Sequence, residues 1–196
     1  MIETGSRRRE IDEVASEMLQ ANGYAATSVR DIARALDMQG ASLYAHVASK
    51  EDVLWSIVDR AATAFEQAAE RALAESTADD PVERLAAIVE AHVETITADP
   101  ERSSVFVTEW RHLSAQRRAA IGARRDAYER RLRDLIGDGL AVGAFVPVDP
   151  AIAATFLLTA LNGIATWYRP DGRLSADRIA DHYVELALRS LSEDHR

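Results

Sequence analysis

Apolar side chains recur every three or four residues along almost the whole chain, which is the pattern of amphipathic helices. The first run ends at Gly23, a residue suited to a helix C-terminus, and predicts a helix over about residues 6–22. The stretch TSVRDIARAL then places capping hydroxyls before a second, short helix that ends near Leu36. After a two-residue break, the stretch QGASLYAH predicts a third short helix. The sequence contains no strand pattern and no internal repeat, so we expect an all-α fold.

A fourth helix is predicted to be much longer than the first three. Ser49 lies three residues before Asp52, an arrangement that caps a helix N-terminus, and the apolar residues that follow continue for about six turns. Such a helix is long enough to leave the N-terminal unit and enter a second one. The later apolar runs predict five more helices, over about residues 81–98, 100–110, 114–142, 150–167 and 175–191. We therefore expect two domains, residues 1–50 and residues 51–196.

The charge of the chain is distributed unevenly. The 196 residues are 47% hydrophobic and carry a net charge of −9, as expected for a folded globular protein that does not bind DNA through its overall charge. Residues 1–50 have a net charge of −1, so the N-terminal unit can still bind nucleic acid locally. Because the chain has no cysteine and no apolar run that could serve as a signal peptide at its start, we expect a cytoplasmic protein without disulfides.

The longest uncharged stretch, residues 150–168, is as long as a membrane span. Threonine, asparagine and glycine residues interrupt it, which favours a helix covered by protein over a helix in a membrane. The last predicted helix also has more apolar surface than a small bundle can cover. We therefore expect these two helices to form a two-fold homodimer interface, with no membrane as a partner.

The N-terminal unit has the pattern of a helix-turn-helix DNA reader, although a plain helical hairpin would show the same spacing. The stretch GYAATSVRDIARALDMQGASLYAHVASKEDVL resembles the DNA-binding domain of the TetR family of bacterial regulators, and the match extends over about residues 7–58. It includes the motif LYAHVASK, which in that family joins the recognition helix to helix four. The resemblance implies an N-terminal helix-turn-helix domain and a C-terminal ligand-binding and dimerisation domain. It further implies a ligand-responsive repressor of a palindromic DNA operator.

Three side chains of this motif are predicted to hold DNA phosphates. Lys50, the only lysine of the chain, stands at a helix N-terminus, where its charge would add to the free backbone N–H groups. The alternative is a solvated lysine beside two acidic residues. The resemblance implies that Tyr44 and His46 also donate to phosphate oxygens, although Tyr44 can equally pack against its neighbours. The arginines at positions 7–9 either reach DNA from a flexible N-terminus or form a solvated tail.

Other polar residues of the second and third helices are candidates for reading bases. Arg30 can bind guanine, Gln39 can bind adenine, and Ser42 faces outward beside them. Ser28, at the start of the second helix, is a predicted phosphate ligand. Gly40 departs from the family pattern, where many members have a longer polar residue, so one side-chain contact is either missing here or replaced by a backbone contact.

The second domain resembles, less specifically, TetR-type regulators of lipid and sterol degradation that respond to acyl-CoA thioesters. This resemblance rests on the stretches EWRHLSAQRRAAIGARRDAYERRLRDLIGDGLAVGAF and LNGIATWYRPDGRLSADRIADHYVELALRSL. It implies a small hydrophobic effector. Candidate pocket residues, each of which could instead be ordinary core, are Phe65, His92, Phe106, Trp110 and Phe156. Arginines between positions 111 and 125 are candidates for CoA phosphates or for a charge-balanced helix face.

Two other classes of protein compete with a regulator. Glu109 and His112 form a Glu-x-x-His pair, which supplies half of a di-metal carboxylate site in some helical bundles, but the chain has no second such pair. Glycine-rich phosphate loops and serine–histidine–aspartate triads do not appear in the sequence either. We expect no enzyme activity, no metal and no cofactor. A helical scaffold without DNA binding is the remaining alternative.

Overall fold

The structure, a computed structural model, describes residues 3–76 and 80–192, with side chains described from Arg7 onward. Within these residues the chain forms nine α-helices and no strand, as predicted. They are α1 (Glu3–Ala26), α2 (Val29–Ala35), α3 (Gly40–Tyr44), α4 (Lys50–Glu75), α5 (Pro81–Ala98), α6 (Pro100–Thr108), α7 (Ala115–Ala141), α8 (Pro150–Trp167) and α9 (Ala176–Arg189). A single 3₁₀ turn, Trp110–His112, joins α6 to α7.

Local sequence signals explain the first three helices. Gly23 adopts a φ of +79°, which interrupts α1 one residue beyond the predicted end. Ser28 and Asp31 form a reciprocal capping box at the start of α2. Asp37 turns the chain toward α3 with a φ of +52°, a left-handed conformation that aspartate tolerates. The helix-turn-helix geometry thus follows from residues adjacent in sequence.

The start of α4 is capped as the sequence predicts. The Asp52 backbone N–H donates to the Ser49 hydroxyl over 3.0 Å, and the Asp52 carboxylate accepts from the Ala48 N–H. Arg8 also donates to this carboxylate, and it lies inside helix α1. The expectation of a flexible arginine-bearing tail at positions 7–9 is therefore wrong, because these residues continue α1 and Arg8 is held by ion pairs.

The helices pack into two compact units. Unit one contains the chain through Ala62 and, in addition, Glu101–Gly122. Unit two contains Thr63–Pro100 and the chain from Ala123 onward. This division differs from the expected boundary at residue 50, because the start of α4 and a segment from the middle of the sequence pack with the N-terminal helices. Helices α4, α6 and α7 each contribute residues to both units.

In unit two, α5 packs against α8 and α9. Aspartate or serine caps each of these helices, with Asp80 on α5, Asp149 on α8 and Ser175 on α9. Among the described helices, one is long and apolar enough to cross a membrane by length and composition, namely α8. A third of α8 is buried within the chain. Large apolar side chains remain exposed on α8 and α9, at Ile152, Phe156, Trp167 and Leu186.

Candidate nucleic-acid interface and ligand cluster

Helices α2 and α3 and the turn between them present polar side chains to solvent. Arg30, Gln39 and Ser42 are exposed. Tyr44 exposes 55% of its surface, which sets aside the alternative that it is an ordinary packing residue. Beneath them, Val29, Ile32 and Leu43 are buried and fix the two helices together. We call the exposed set of Ser28, Arg30, Gln39, Ser42 and Tyr44 the reading surface.

Ser28 has a structural task in addition to any role at the surface. Its hydroxyl accepts from the Asp31 N–H, and the Asp31 carboxylate accepts from both the hydroxyl and the N–H of Ser28. The hydroxyl hydrogen bond from Ser28, followed by its backbone hydrogen bond, lowers the pKa of Asp31. Arg34 pairs with this carboxylate, so the positive charge of Arg30 in the same turn is not neutralised by Asp31 alone.

His46 is less exposed to solvent than the residues of the reading surface. Its ring is only partly exposed, and its Nδ1 is buried without a hydrogen-bond partner among the described residues. Its carbonyl oxygen accepts from Arg8, which also binds the Asp52 carboxylate over 3.0 Å. The structure therefore holds His46 in place through its backbone, between α3 and α4.

Lys50 has partners that the sequence did not suggest. Its Nζ donates to the carbonyl oxygens of Tyr24 and Thr27, over 2.6 and 2.7 Å. The same ammonium lies 4.1 Å from the centre of the Tyr24 ring. Lys50 thus binds the segment that leads from α1 into α2. These partners lie 23 and 26 residues away in sequence, so no local pattern could have indicated them.

The Glu-x-x-His pair, Glu109 and His112, contacts Tyr24 as well. The Glu109 carboxylate accepts from the Tyr24 N–H over 2.9 Å, and the His112 ring stacks on the Tyr24 ring at 5.1 Å. Both residues therefore contact the end of α1. In the described part of the chain, no group of three or more acidic or histidine side chains is arranged to hold a metal ion.

Unit one contains a buried carboxylate that the sequence analysis missed. Asp12 exposes only 1% of its surface. It accepts hydrogen bonds from Ser56 over 2.7 Å, from Arg60 over 3.1 Å and from Arg8 over 3.2 Å. Asp12 occupies a polar position between the apolar residues of α1, and that break in the apolar pattern was the available signal. The network links α1 to α4 within unit one.

In unit two, two of the candidate ligand residues lie together. The rings of Phe65 and His92 are 4.7 Å apart, and Tyr128 completes the cluster, with its hydroxyl 3.0 Å from His92 Nδ1. Burial, followed by the charge of Arg125, lowers the pKa of His92 to about 3, so the imidazole is neutral. Burial also raises the pKa of Tyr128. His92 Nε2 is buried with no hydrogen-bond partner among the described residues.

The other candidate ligand residues are distributed differently. Phe106 is buried and Trp110 is partly exposed, and both belong to unit one. The prediction that Phe156 lines a ligand pocket or belongs to the core is corrected, because 59% of its surface is exposed. Phe156 borders a groove that also includes Leu157, Tyr183 and Leu186. The helical period turns Phe156 to the outer face of α8, whereas the adjacent Leu157 faces inward.

Two arginines considered for CoA phosphates are engaged in ion pairs. Arg124 binds the Glu66 carboxylate with two hydrogen bonds, over 2.6 and 2.7 Å. Arg117 lies near the carboxylates of Glu51 and Asp52 and above the Trp55 ring. This favours the alternative of a charge-balanced helix face for these two residues.

Comparison with known proteins agrees with this geometry. The family model "Bacterial regulatory proteins, tetR family" matches residues 11–57, and the model "Tetracyclin repressor-like, C-terminal domain" matches residues 78–191. The chain is 30% identical over 194 residues to the HTH-type transcriptional repressor KstR2 of Mycobacterium tuberculosis, covering 98% of this chain and 96% of the repressor.

Solved structures give the same result. PfmR, a TetR family transcriptional regulator of Thermus thermophilus, superposes with a TM-score of 0.83 at 36% identity, covering 93% of this chain and 99% of PfmR. AibR, solved in complex with isovaleryl coenzyme A and operator DNA, superposes with a TM-score of 0.81 at 32% identity, covering 92% of this chain and 97% of AibR. The alternative of a helical scaffold without DNA binding is therefore set aside. The chain belongs to the tetR family of bacterial regulatory proteins and is a ligand-responsive, DNA-binding transcriptional regulator.

Proposed function

We propose that this regulator is a cytoplasmic, homodimeric repressor that binds a palindromic operator through the reading surface and is released by a small acyl effector, of the acyl-CoA class. The observation that carries the DNA-binding part is the polar, solvent-exposed surface of α2 and α3 above an apolar base. The effector part is supported by the buried cluster of Phe65, His92 and Tyr128 and by the similarity to AibR.

The reading surface offers distinct chemistry for bases and for phosphates. Arg30 has five N–H donors in a planar fork that fits guanine O6 and N7, and Gln39 can pair with adenine. Ser42 can serve either base edges or phosphate. We assign phosphate contacts to Tyr44, whose hydroxyl is exposed, and to Ser28 at the α2 N-terminus. His46 remains a candidate phosphate donor.

Replacing Arg30 should relax base specificity. Because Arg30 is exposed and its pairing with guanine is lost on truncation, Arg30→Ala is expected to reduce discrimination at one base pair per half-site by about 1–3 kcal/mol. Binding to all single-base variants of the operator would be measured by fluorescence anisotropy. The matched control is Arg34→Ala, on the same helix but paired with Asp31. A uniform loss across all variants would contradict base reading by Arg30.

The effector proposal rests on the ring nitrogen of His92 that has no hydrogen-bond partner among the described residues, Nε2. The Tyr128 hydroxyl can donate to Nδ1, which leaves Nε2 as an N–H donor. A buried donor without a partner costs about 1–3 kcal/mol, and an effector with a carbonyl oxygen would remove that cost. The thioester of an acyl-CoA has this oxygen next to an apolar chain. We therefore propose that His92 binds the carbonyl of the acyl group.

His92→Phe tests this assignment because phenylalanine keeps an aromatic ring at this position but has no N–H donor. We expect the affinity for an effective acyl-CoA thioester to fall by about ten- to a hundredfold, with operator affinity unchanged. Isothermal titration with a panel of acyl-CoA thioesters, free acids and free CoA would measure it. Tyr128→Phe is the control, since it removes the hydroxyl but retains Nε2, and a smaller loss is expected. Equal affinity of wild type and His92→Phe for every thioester would remove His92 from the site.

Release also requires a difference between two states of the dimer. An effector that binds both states equally shifts no equilibrium, so the acyl group must bind the DNA-incompetent arrangement more tightly. Moving a regulator from almost fully bound to almost fully released takes a preference of about 10⁴-fold. Titration of the protein–operator complex with each thioester would show whether the preference is that large.

A further inference from the structure

Arg131 on α7 has a buried donor beside the cluster of Phe65, His92 and Tyr128. Its Nη1 is buried and has no hydrogen-bond partner among the described residues. Its Nη2 donates to the Glu70 carboxylate over 3.4 Å, which is longer than a typical hydrogen bond, and Glu70 is largely exposed. This ion pair at the surface therefore leaves the buried side of the guanidinium unpaired.

Arg131 and His92 both lie next to Tyr128. Arg131 follows Tyr128 by three residues on α7, so the two side chains share one face of the helix. Burial raises the pKa of the Tyr128 hydroxyl, and the nearby positive charge of Arg131 opposes that effect. On the other side, the hydroxyl lies 3.0 Å from His92 Nδ1, and His92 Nε2 is buried without a partner among the described residues. One tyrosine thus has two such donors as neighbours.

The two donors contact different positions along α4. The His92 ring lies 4.7 Å from the Phe65 ring, whereas Arg131 reaches Glu70. Five residues of a helix correspond to an axial rise of about 7.5 Å. A hydrogen bond to an oxygen extends over only about 3 Å. This separation favours a ligand with two acceptor oxygens over a ligand whose single carbonyl oxygen accepts from both donors.

A guanidinium donor makes a stronger demand on a ligand than an imidazole donor. The imidazole of His92 is neutral, because burial lowers its pKa to about 3, and a neutral N–H suits a thioester carbonyl. Arginine stays protonated, and hydrogen bonds to charged groups are about twice as strong as those between neutral groups. A ligand that left Arg131 Nη1 buried and unpaired would therefore lose affinity.

We propose that the effector is an acyl-CoA thioester whose acyl group carries a second acceptor oxygen, of a keto or carboxyl group, which binds Arg131 Nη1 while the thioester carbonyl binds His92. The inference rests on the proposed acyl-CoA effector and goes beyond it, because it assigns the class of acyl group and a specificity-determining residue. A site built to bind a polar group discriminates strongly against an analogue that lacks it. Unsubstituted acyl chains are thus the disfavoured ligands.

A cycle of two proteins and two classes of ligand tests this inference. Isothermal titration would compare acyl-CoA thioesters of matched chain length that are unsubstituted or carry an oxo or a carboxyl group. We expect wild type to bind a substituted thioester about ten- to a hundredfold more tightly than the unsubstituted one. Arg131→Met keeps an apolar stem without N–H groups, so it should lose this preference and bind the unsubstituted thioester like wild type. Preference for the carboxyl compound alone would indicate charge pairing, and preference for both would indicate hydrogen bonding to either oxygen.

Two control variants exclude other roles of Arg131. Glu70→Gln removes its surface partner, and an unchanged preference is expected because Nη1 remains. Arg124 lies seven residues earlier on α7 and binds Glu66 with two hydrogen bonds. Arg124→Met therefore removes the same charge from the same helix and controls for general attraction of CoA phosphates. The preference should again be unchanged, and thermal unfolding would verify that each variant is folded.

The contradicting outcomes are distinct. Equal affinity of wild type for substituted and unsubstituted thioesters would overturn this inference alone. A uniform loss for all thioesters in Arg131→Met would also overturn it, because that pattern indicates one carbonyl shared by both donors. His92→Phe should weaken both ligand classes and keep their ratio. Wild-type protein that bound no thioester would instead refute the acyl-CoA effector of the proposed function, and this inference with it.

Discussion

Replacing Leu186 by arginine is expected to abolish dimer formation and tight operator binding together. Leu186 lies on α9 with 63% of its surface exposed, so the substitution leaves the interior of the monomer intact. It borders the apolar groove formed with Phe156, Leu157 and Tyr183, which is the surface we assign to the dimer. A two-fold interface would bury the new charge twice without a partner, at a cost of several kcal/mol.

The dimer links two reading surfaces, so its loss should also be visible on DNA. A monomer loses the effective concentration that the second half-site provides, and operator affinity should fall by about a hundredfold or more. Sedimentation velocity and anisotropy would measure the two effects. Val142→Arg is the matched control, because Val142 is also an exposed apolar residue but is not part of α8 or α9. If Leu186→Arg remained dimeric, the assignment of this interface would be wrong.

Replacing Asp12 by asparagine should destabilise the protein strongly. The Asp12 carboxylate is buried and accepts from two arginines and one serine, so an amide in its place leaves the arginines facing an N–H group or an uncharged oxygen. We expect the free energy of unfolding to fall by about 3 kcal/mol, a typical value for breaking a buried ion pair. Arg8 and Arg60 are partly exposed, and their access to water keeps the loss from being larger.

Chemical denaturation at a fixed protein concentration would measure this loss. Glu13→Gln is the control, because it also removes one carboxylate from α1 but at an exposed position. Its effect should stay within about 0.5 kcal/mol. If Asp12→Asn were no more destabilising than Glu13→Gln, the buried network would not contribute to stability as described.

Those parts of the fold that depend on neighbouring residues could be predicted from the sequence. The break at Gly23, the capping box of Ser28 and Asp31 and the cap of α4 at Ser49 each involve residues within a few positions of one another. The helical period located all nine helices for the same reason. Such signals report the backbone conformation and leave open which distant groups meet.

The contacts that define the site depend on such distant groups. The carbonyl oxygens bound by Lys50 belong to the end of α1, and Glu109 reaches Tyr24 from 85 residues away. Backbone carbonyls leave no mark in a sequence pattern. Phe156 was assigned to the interior for a related reason, because α8 is apolar on most of its faces and its period does not show which one faces the core.

The division into two units also depends on contacts between residues distant in sequence, which a local pattern does not show. The segment Glu101–Gly122 is helical by its local pattern, yet it packs with the N-terminal helices. Its contacts come from single side chains, such as Glu109 on the Tyr24 N–H and Arg117 beside Asp52. A domain boundary drawn from helix order alone could not include it.

A comparison of two duplexes by anisotropy tests the central claim that this protein recognises a palindrome through the reading surface. A duplex selected by the wild-type protein from a random library would be compared with the same duplex after one half-site has been scrambled. The account predicts that scrambling weakens binding by about a thousandfold at physiological salt, because base contacts and dimer linkage are lost together. Equal affinity for the two duplexes would contradict it.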